Sequence, residues 1–435
     1  MGGGVARTRP TLPPCGSGLS VSQQWSNIKQ EVVFTANGAF LATQSENHNI
    51  RIAWIIAGDE DGGVAQAVRG LTTAVQEMGI APVFVSLRSA QFSEYLRGLG
   101  FDVRVLNVVP PPALRGGLAS KLLLQLQTRH FSTAARRSLA SALAELRATA
   151  VHVLWPNLMP LAAMAASDVG IPCIWEVSGV LGNYPFGMNR RLIQHTLRRW
   201  NVLPLANSIH TASKLGTGPV RPEVLYLGAD EGRFKPAVAA VIPREQLGCP
   251  PDAVVLGVVA RLKPLKGQAV VLEAMAQLPE AYHNAHLLLL GGPVEGEFGD
   301  ELRALAQRLG VADRLHLIGN VPDPERYYGA IDVAINAYLG AESFGLSVVE
   351  AMMMGKPVLV HALGGPAETV VDGVTGWHVH EPTVAGFRAG LIRALGDREK
   401  WPAMGAAGRQ RALEHFSLSR QEKQYVEIVR KRLGS

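Results

Sequence analysis

Two cations followed far downstream by two carboxylates are the residues of this chain whose types and spacing most clearly suggest chemistry. Arg261-Leu-Lys-Pro-Leu-Lys266-Gly267 carries the cations, and Glu342-Ser-Phe-Gly-Leu-Ser-Val-Val-Glu350 carries the carboxylates. The first segment follows Val254-Val-Leu-Gly-Val-Val-Ala260, a β-branched apolar run of the kind that forms a buried parallel strand. In open α/β sheets, ligands bind at the carboxyl ends of strands. A helix is expected after Gly267, so its first amides can share one anion with Arg261 and Lys266. A diphosphate suits such a place. Taken alone, an Arg-x4-Lys-Gly segment is more simply a solvated loop.

The second segment is more specific. Glu342 precedes Phe344-Gly345, where glycine lets backbone approach a ligand, and Ser347 to Gly355 reads as a short buried helix aimed at that loop. Ser347 and Glu350 also fit a capping box, in which Glu350 would only reach back to the Ser347 amide. Glu342 has its own plain reading as an exposed acid. The continuation favours a ligand site over both: Lys356-Pro-Val-Leu-Val360, Gly364-Gly365-Pro366-Ala367-Glu368 and Asp372-Gly-Val-Thr-Gly376-Trp377 give a strand and two glycine turns in close succession.

From about Asn207 to about Ser419 the chain resembles the family-4 retaining glycosyltransferases of the GT-B fold, the glycosyltransferases group 1. The motifs are Ala206-Asn207-Ser208, Leu227-Gly228-Ala229-Asp230 with Arg233-Phe234-Lys235-Pro236, the Arg261–Gly267 loop, Gly319-Asn320-Val321, the paired glutamates, Gly364-Gly365 and His415-Phe416-Ser417-Leu418. The resemblance implies an α/β protein with two Rossmann-like, doubly wound domains facing an interdomain cleft. It also implies that Arg261 and Lys266 hold a donor diphosphate and that Glu350 holds the ribose hydroxyls. Glu342 and the amides around Phe344, Gly345 and Leu346 would face the transferred sugar, with Val321 and Asp323 beside the base. The expected donor is a UDP- or GDP-sugar, with no cofactor and no metal.

The elements that must position these residues are legible along the chain. Residues 1–49, with Met1-Gly-Gly-Gly4, Pro13-Pro14 and Gly16-Ser-Gly18, read as a disordered leader without the apolar core of a secretory signal. An N-terminal, acceptor-side domain is expected over 50–235, with strands at Ile50–Ala57, Pro82–Leu87, Val103–Val108, Val151–Trp155 and Pro172–Val177 alternating with helices. The donor domain is expected over 236–416, and a final helix, about 417–435, is expected to pack back on the first domain. After the first strand, Gly58-Asp-Glu-Asp-Gly62-Gly63 opens a helix from about Val64 to Met78 without the Gly-x-Gly-x-x-Gly spacing of dinucleotide sites, which disfavours a nicotinamide oxidoreductase. By the resemblance, Gly62 and Gly63 face the acceptor and the donor phosphate. Asp59-Glu-Asp61 reads as solvated turn acids rather than a metal site.

One departure from the family pattern concerns Glu176-Val-Ser178-Gly179, where relatives place a histidine or Glu-Val-Arg-Gly. Ser178 could bond a sugar hydroxyl or merely close a turn, and His152 reads as a structural histidine rather than a substitute.

At 435 residues and 47% apolar content the chain can form two full cores, yet no apolar run approaches the ~18 residues of a membrane span. Cys15, Cys173 and Cys249 are too few and scattered for a disulfide framework or a zinc site, and a cytoplasmic setting fits them. Through Lys235, 22 Lys/Arg stand against 14 Asp/Glu, a balance of +8; the remainder carries 20 against 22, a balance of −2. The basic clusters are Arg115, Lys121, Arg129, Arg136, Arg137 and Arg147, then Arg190, Arg191, Arg198 and Arg199. They read as solvated helix faces, or as contacts to an anionic acceptor or to the inner face of an anionic membrane. Nucleic acid is not indicated. The expected activity is transfer of a sugar from a nucleoside-diphosphate sugar to an acceptor hydroxyl, in the synthesis of a glycan, glycolipid or glycosylated metabolite. The alternatives are an inactive donor-binding paralogue and a GT-B hydrolase or epimerase of the nucleotide sugar.

Overall fold

The computed structural model describes residues 50–58, 68, 71–72, 75–108, 133–179, 188–216, 218–236 and 241–434. The leader 1–49, the Asp59–Asp61 acids, Gly62, Gly63, Arg115, Lys121 and Arg129 lie outside the described residues. Only parts of the helix expected over Val64–Met78 fall within them.

Two parallel sheets organise the chain. The first holds β1 (Ile50–Ile56), β2 (Ile80–Ser86), β3 (Asp102–Val105), β4 (Ala150–Val153), β5 (Cys173–Val177), β6 (Val202–Ala206) and β7 (Glu223–Val224), in the order β3-β2-β1-β4-β5-β6-β7. The second holds β8 (Val254–Val259), β9 (Ala285–Leu290), β10 (Leu315–Gly319), β11 (Val333–Asn336), β12 (Val358–His361) and β13 (Gly376–Val379), in the order β10-β9-β8-β11-β12-β13. Each order reverses direction beside its first strand, which makes both sheets doubly wound. Helices cover both faces, so the central strands are largely apolar rather than alternating, while the edge strand β3 alternates. All six residues of β9, for example, are buried.

Strand ends differ from the sequence expectation in detail. β3 stops at Val105, where Val108 was expected: Asn107 takes φ +51°, which breaks the extended run, although the Leu106 and Val108 amides still donate to the Ser86 and Leu87 carbonyls at 2.9 and 2.8 Å.

The chain passes between the sheets twice, and the two passages touch. Ala229 pairs with Ser417, the Leu418 amide donates to the Ala229 carbonyl at 2.9 Å, and the Gly228 amide donates to Gln421 Oε1 at 2.7 Å. The final helix, Leu418–Leu433, then lies on the first sheet: Tyr425, Val426 and Val429 share a core with Ile52, Trp54 and Ile56. Tyr425 OH meets His152 Nδ1 at 2.7 Å, and the His152 ring stacks on Trp54 at 3.9 Å between centroids. His152 is fully buried there, a structural histidine.

Candidate active site

One of the two cations and one of the two carboxylates, Lys266 and Glu342, meet where strands of the second sheet end. After β8 the chain makes a single tight turn, Pro264–Lys266, and then Gly267 starts the helix Gln268–Ala276. Gly267 has φ +73°, and a Cβ on it would stand 2.0 Å from the Ala337 carbonyl oxygen, so no other residue lets the turn pack this close to the end of β11. The Leu339 amide donates to the Leu265 carbonyl at 2.9 Å and locks the two loops together.

That contact decides where Lys266 points. Its Nζ lies 2.7 Å from Glu342 Oε2 and 4.6 Å from the centre of the Tyr338 ring. Glu342 is itself fixed through its backbone. Its carbonyl accepts from the Gly365 amide at 2.9 Å, and a Cβ on Gly364, at φ +88°, would overlap that same carbonyl oxygen at 2.0 Å. Side chains 26% (Lys266) and 15% (Glu342) exposed therefore meet at loop ends rather than in a core. Arg261 is exposed just before the turn, its carbonyl accepting from the buried Gln268 side chain at 2.9 Å, and it carries no ion pair among the described residues. Gln268 Oε1 is buried without a partner, so the first helical turn beside Arg261 retains unused polar capacity.

Glu350 corrects the capping-box reading. The helix runs Leu346–Met353 with Gly345 at its N-cap, so the capping-box position is Val348 and Glu350 stands two residues beyond it. Its Oε2 instead lies 3.3 Å from the hydroxyl of Tyr328, a fully buried residue of the short helix Pro324–Tyr328. Loss of water pushes the Glu350 carboxyl up to about 7; the nearby Arg233 and the Tyr328 hydrogen bond pull the other way. A small pocket lined by Val259, Tyr328, Asn336 and Ser347 adjoins it on the Tyr328 side. Phe344 lies inside an aromatic cluster, 6.0 Å from Tyr226 and 5.9 Å from Phe416 between ring centres, so only its backbone can meet a ligand. The amides of Leu346 and Ser347 open the helix and lack intrahelical acceptors.

Val321 and Asp323 follow β10, at the edge of the sheet. Asp323 Oδ2 accepts from Arg326 at 2.9 Å, and the Arg233 guanidinium grips this loop through Glu325 Oε2 at 2.8 Å and the Pro322 carbonyl. Ser178 is exposed after β5, in the other sheet; its carbonyl accepts from Asn207 Nδ2 at 3.5 Å, and among the described residues no hydrogen bond joins it to Glu342 or Glu350. The sheets meet nearby through Glu368, whose carboxylate accepts the amides of Ile209 at 2.9 Å and His210 at 2.7 Å and the Tyr226 hydroxyl at 3.1 Å.

Sequence reasoning gave no role to Tyr328, Tyr338, Arg233, Gln268 or Glu368. Arg233 and Glu368 stand inside motifs already quoted, so signals existed for them. The tyrosines are found only through the contacts.

The arrangement can therefore offer fixed positive charge, helix-end amides and a screened carboxylate to one anionic ligand with an attached neutral group. Two family models match the chain: "Glycosyl transferase 4-like domain" over residues 62–214 and "Glycosyl transferases group 1" over 242–411. The D-inositol 3-phosphate glycosyltransferase 2 of Catenulispora acidiphila is 37% identical over 205 residues, 44% of this chain and 48% of that protein. The D-inositol 3-phosphate glycosyltransferase of Segniliparus rotundus is 34% identical over 203 residues, 46% of this chain and 44% of that one. The chain thus spans about half the length of the curated relatives it matches. Among solved structures, Anabaena HepE in complex with UDP aligns with TM-score 0.73 at 21% identity, covering 88% of this chain and 100% of that one. A glycosyltransferase from Rickettsia africae aligns with TM-score 0.73 at 18% identity, covering 88% and 99%.

Proposed function

We propose that this chain, which belongs to the family-4 type of GT-B glycosyltransferases, moves a sugar from a nucleoside-diphosphate donor to an acceptor hydroxyl with retention of anomeric configuration. The observation that carries the reading is the Lys266–Glu342 pair, 2.7 Å apart where the loops after β8 and before the Leu346–Met353 helix meet. An incoming diphosphate competes with Glu342 for the ammonium. Lys266 and Arg261 then face the phosphates, and the released carboxylate faces the sugar. As the bond from the anomeric carbon to the phosphate oxygen breaks, charge grows on the leaving diphosphate, and prepositioned cations lower the barrier most at that moment. Glu342 favours the positive character of the departing sugar. The acceptor oxygen forms the new bond, and its proton passes to a leaving-phosphate oxygen, so a separate base is not required.

Glu350 is assigned to the ribose hydroxyls and Val321 with Asp323 to the base. The HepE structure holds UDP, which makes uridine donors the first to assay, with guanosine donors beside them. The relatives are named for D-inositol 3-phosphate, and an anionic acceptor of that class suits the basic first half of the chain. A lipid-linked acceptor at an anionic membrane face is the variant of this reading tested in the Discussion.

Donor consumption measured with and without acceptor tests the proposal. Transfer requires acceptor-dependent consumption and a product whose anomeric proton coupling matches the donor's. Equal consumption without acceptor favours a hydrolase or epimerase, and binding without consumption an inactive paralogue.

A further inference from the structure

A second group of chemically able side chains lies at the opposite end of the donor-side sheet. His286 is the second residue of β9 and His316 the second of β10, while Cys249 lies on the approach to β8. All three stand at the amino ends of their strands, whereas Lys266 and Glu342 follow carboxyl ends. His286 Nδ1 is 2.9 Å from His316 Nε2, the two rings stack with centres 5.2 Å apart, and the ligand atoms of all three residues lie within 4.8 Å of one another. Cys249 and His286 are buried and His316 is half-buried. The backbone holds the cysteine in place: its amide donates to the Arg244 carbonyl at 3.0 Å, and a Cβ on Gly248 would meet His316 Nδ1 at 3.1 Å.

We propose that Cys249, His286 and His316 form a zinc-class metal site, with the fourth position left to water, that ties together the amino ends of β8, β9 and β10. A thiolate and two imidazoles are the donors that a tetrahedral, borderline-soft ion selects, and magnesium or calcium would instead want oxygens. Bond lengths of about 2.0–2.1 Å to nitrogen and 2.3 Å to sulfur place the ligand atoms about 3.3–3.6 Å apart, so small side-chain rotations complete the geometry. Burial lowers the pKa of both histidines, which keeps them neutral as ligands must be. Burial also pushes the Cys249 thiol up to about 11. Binding therefore releases the thiol proton to solvent as the sulfur–metal bond forms. Asp313 adds a negative charge felt by both rings, with Asp252 also near His286, while Arg314 beside His286 and Arg244 beside Cys249 act in the opposite sense towards a cation. The sequence concealed this site because its ligands come from three separate elements and match no short Cys/His spacing.

The test uses the full chain carrying Cys15→Ser, so that Cys173, buried in the first sheet, and Cys249 are the cysteines that remain. After chelation, the protein is titrated with Co²⁺ and watched for the near-ultraviolet band of thiolate-to-cobalt charge transfer. The expected result is a band saturating at one equivalent, abolished in Cys249→Ser and in His316→Gln, with Zn²⁺ displacing the cobalt and raising the melting temperature of the parent alone. No band at one equivalent overturns the proposal, as does a band that survives Cys249→Ser. Should one variant fail to fold, the parent titration and the other variant still decide.

Discussion

Two histidine- or lysine-centred constellations in this molecule use the same ingredients to different ends. In the first sheet, His152 is sealed between Trp54 and Tyr425, with Glu176 Oε2 3.4 Å from its other nitrogen. In the second, Lys266 meets Glu342 at 2.7 Å, but on loop ends beside helix-opening amides and an exposed Arg261 that carries no ion pair among the described residues. Exposure and place in the sheet separate them. His152, 0% exposed, fastens the last helix to β4, whereas the Lys266 and Glu342 side chains, 26% and 15% exposed, stand near exposed Arg261 and helix-opening amides at strand ends, where α/β sheets take ligands.

The strongest way to break this comparison is Lys266→Ala. Losing a cation matched to the developing diphosphate charge is expected to lower transfer on the order of a hundredfold, roughly 3 kcal/mol, in steady-state assays of a folded protein. Turnover near the parent's would return Lys266 to the status of a loop residue.

His152→Ala should do the reverse. It removes a fully buried ring and leaves Tyr425 OH without its partner, so a loss of about 2–4 kcal/mol is expected in denaturant unfolding. Donor affinity should be unchanged. A large fall in donor affinity with intact stability would make His152 part of the site after all.

Glu350→Gln sharpens the contrast through pH. The folded carboxyl titrates near 7, above its ordinary range, so between about pH 4 and 7 the folded state binds more protons than the unfolded one. Stability contributed by the protonated group is thus lost as pH rises through 7. Glutamine mimics the protonated form. The variant should gain on the order of 2 kcal/mol over the parent at pH 8 and little at pH 5, while binding donor more weakly. An equal offset at both pH values would show that Glu350 is not held in this way.

The smallest expected effect per residue concerns the basic first half. Arg136 forks onto Asp168, so the cluster expected around it is partly spent within the protein. Arg191, Arg198 and Arg199 are exposed on the helix Met188–Arg199, beside Leu192 at 65% exposure. Each is worth about 1 kcal/mol at an anionic surface at low salt. Neutralising all three should abolish cosedimentation with vesicles containing phosphatidylserine, and equal recovery on neutral vesicles would favour a soluble acceptor. Among the described residues no helix is long and apolar enough to cross a membrane.

Much of the scaffold was legible because apolar runs bounded by turn residues leave little choice of strand, as at Val254–Val259. Gly267 and Gly364 were legible as turns, though not the carbonyls of Ala337 and Glu342 that exclude any side chain there. The alternative capping-box reading of Ser347 and Glu350 does not hold, because Gly345, not Ser347, is the N-cap and Glu350 lies against Tyr328. Pairings such as Lys266 with Glu342 or Glu368 with the Ile209 and His210 amides depend on loops brought together by the sheet. No local pattern encodes them.

The central claim is that the Lys266–Glu342 junction receives a nucleoside diphosphate. Calorimetric titration of UDP and GDP into the parent, Lys266→Ala and His152→Gln tests it most directly. The account predicts that one of the two nucleotides binds the parent, binds Lys266→Ala at least tenfold more weakly, a difference of about 1.4 kcal/mol, and binds His152→Gln as it binds the parent. Equal affinity for the parent and Lys266→Ala, or no binding of either nucleotide by the folded parent, would contradict it.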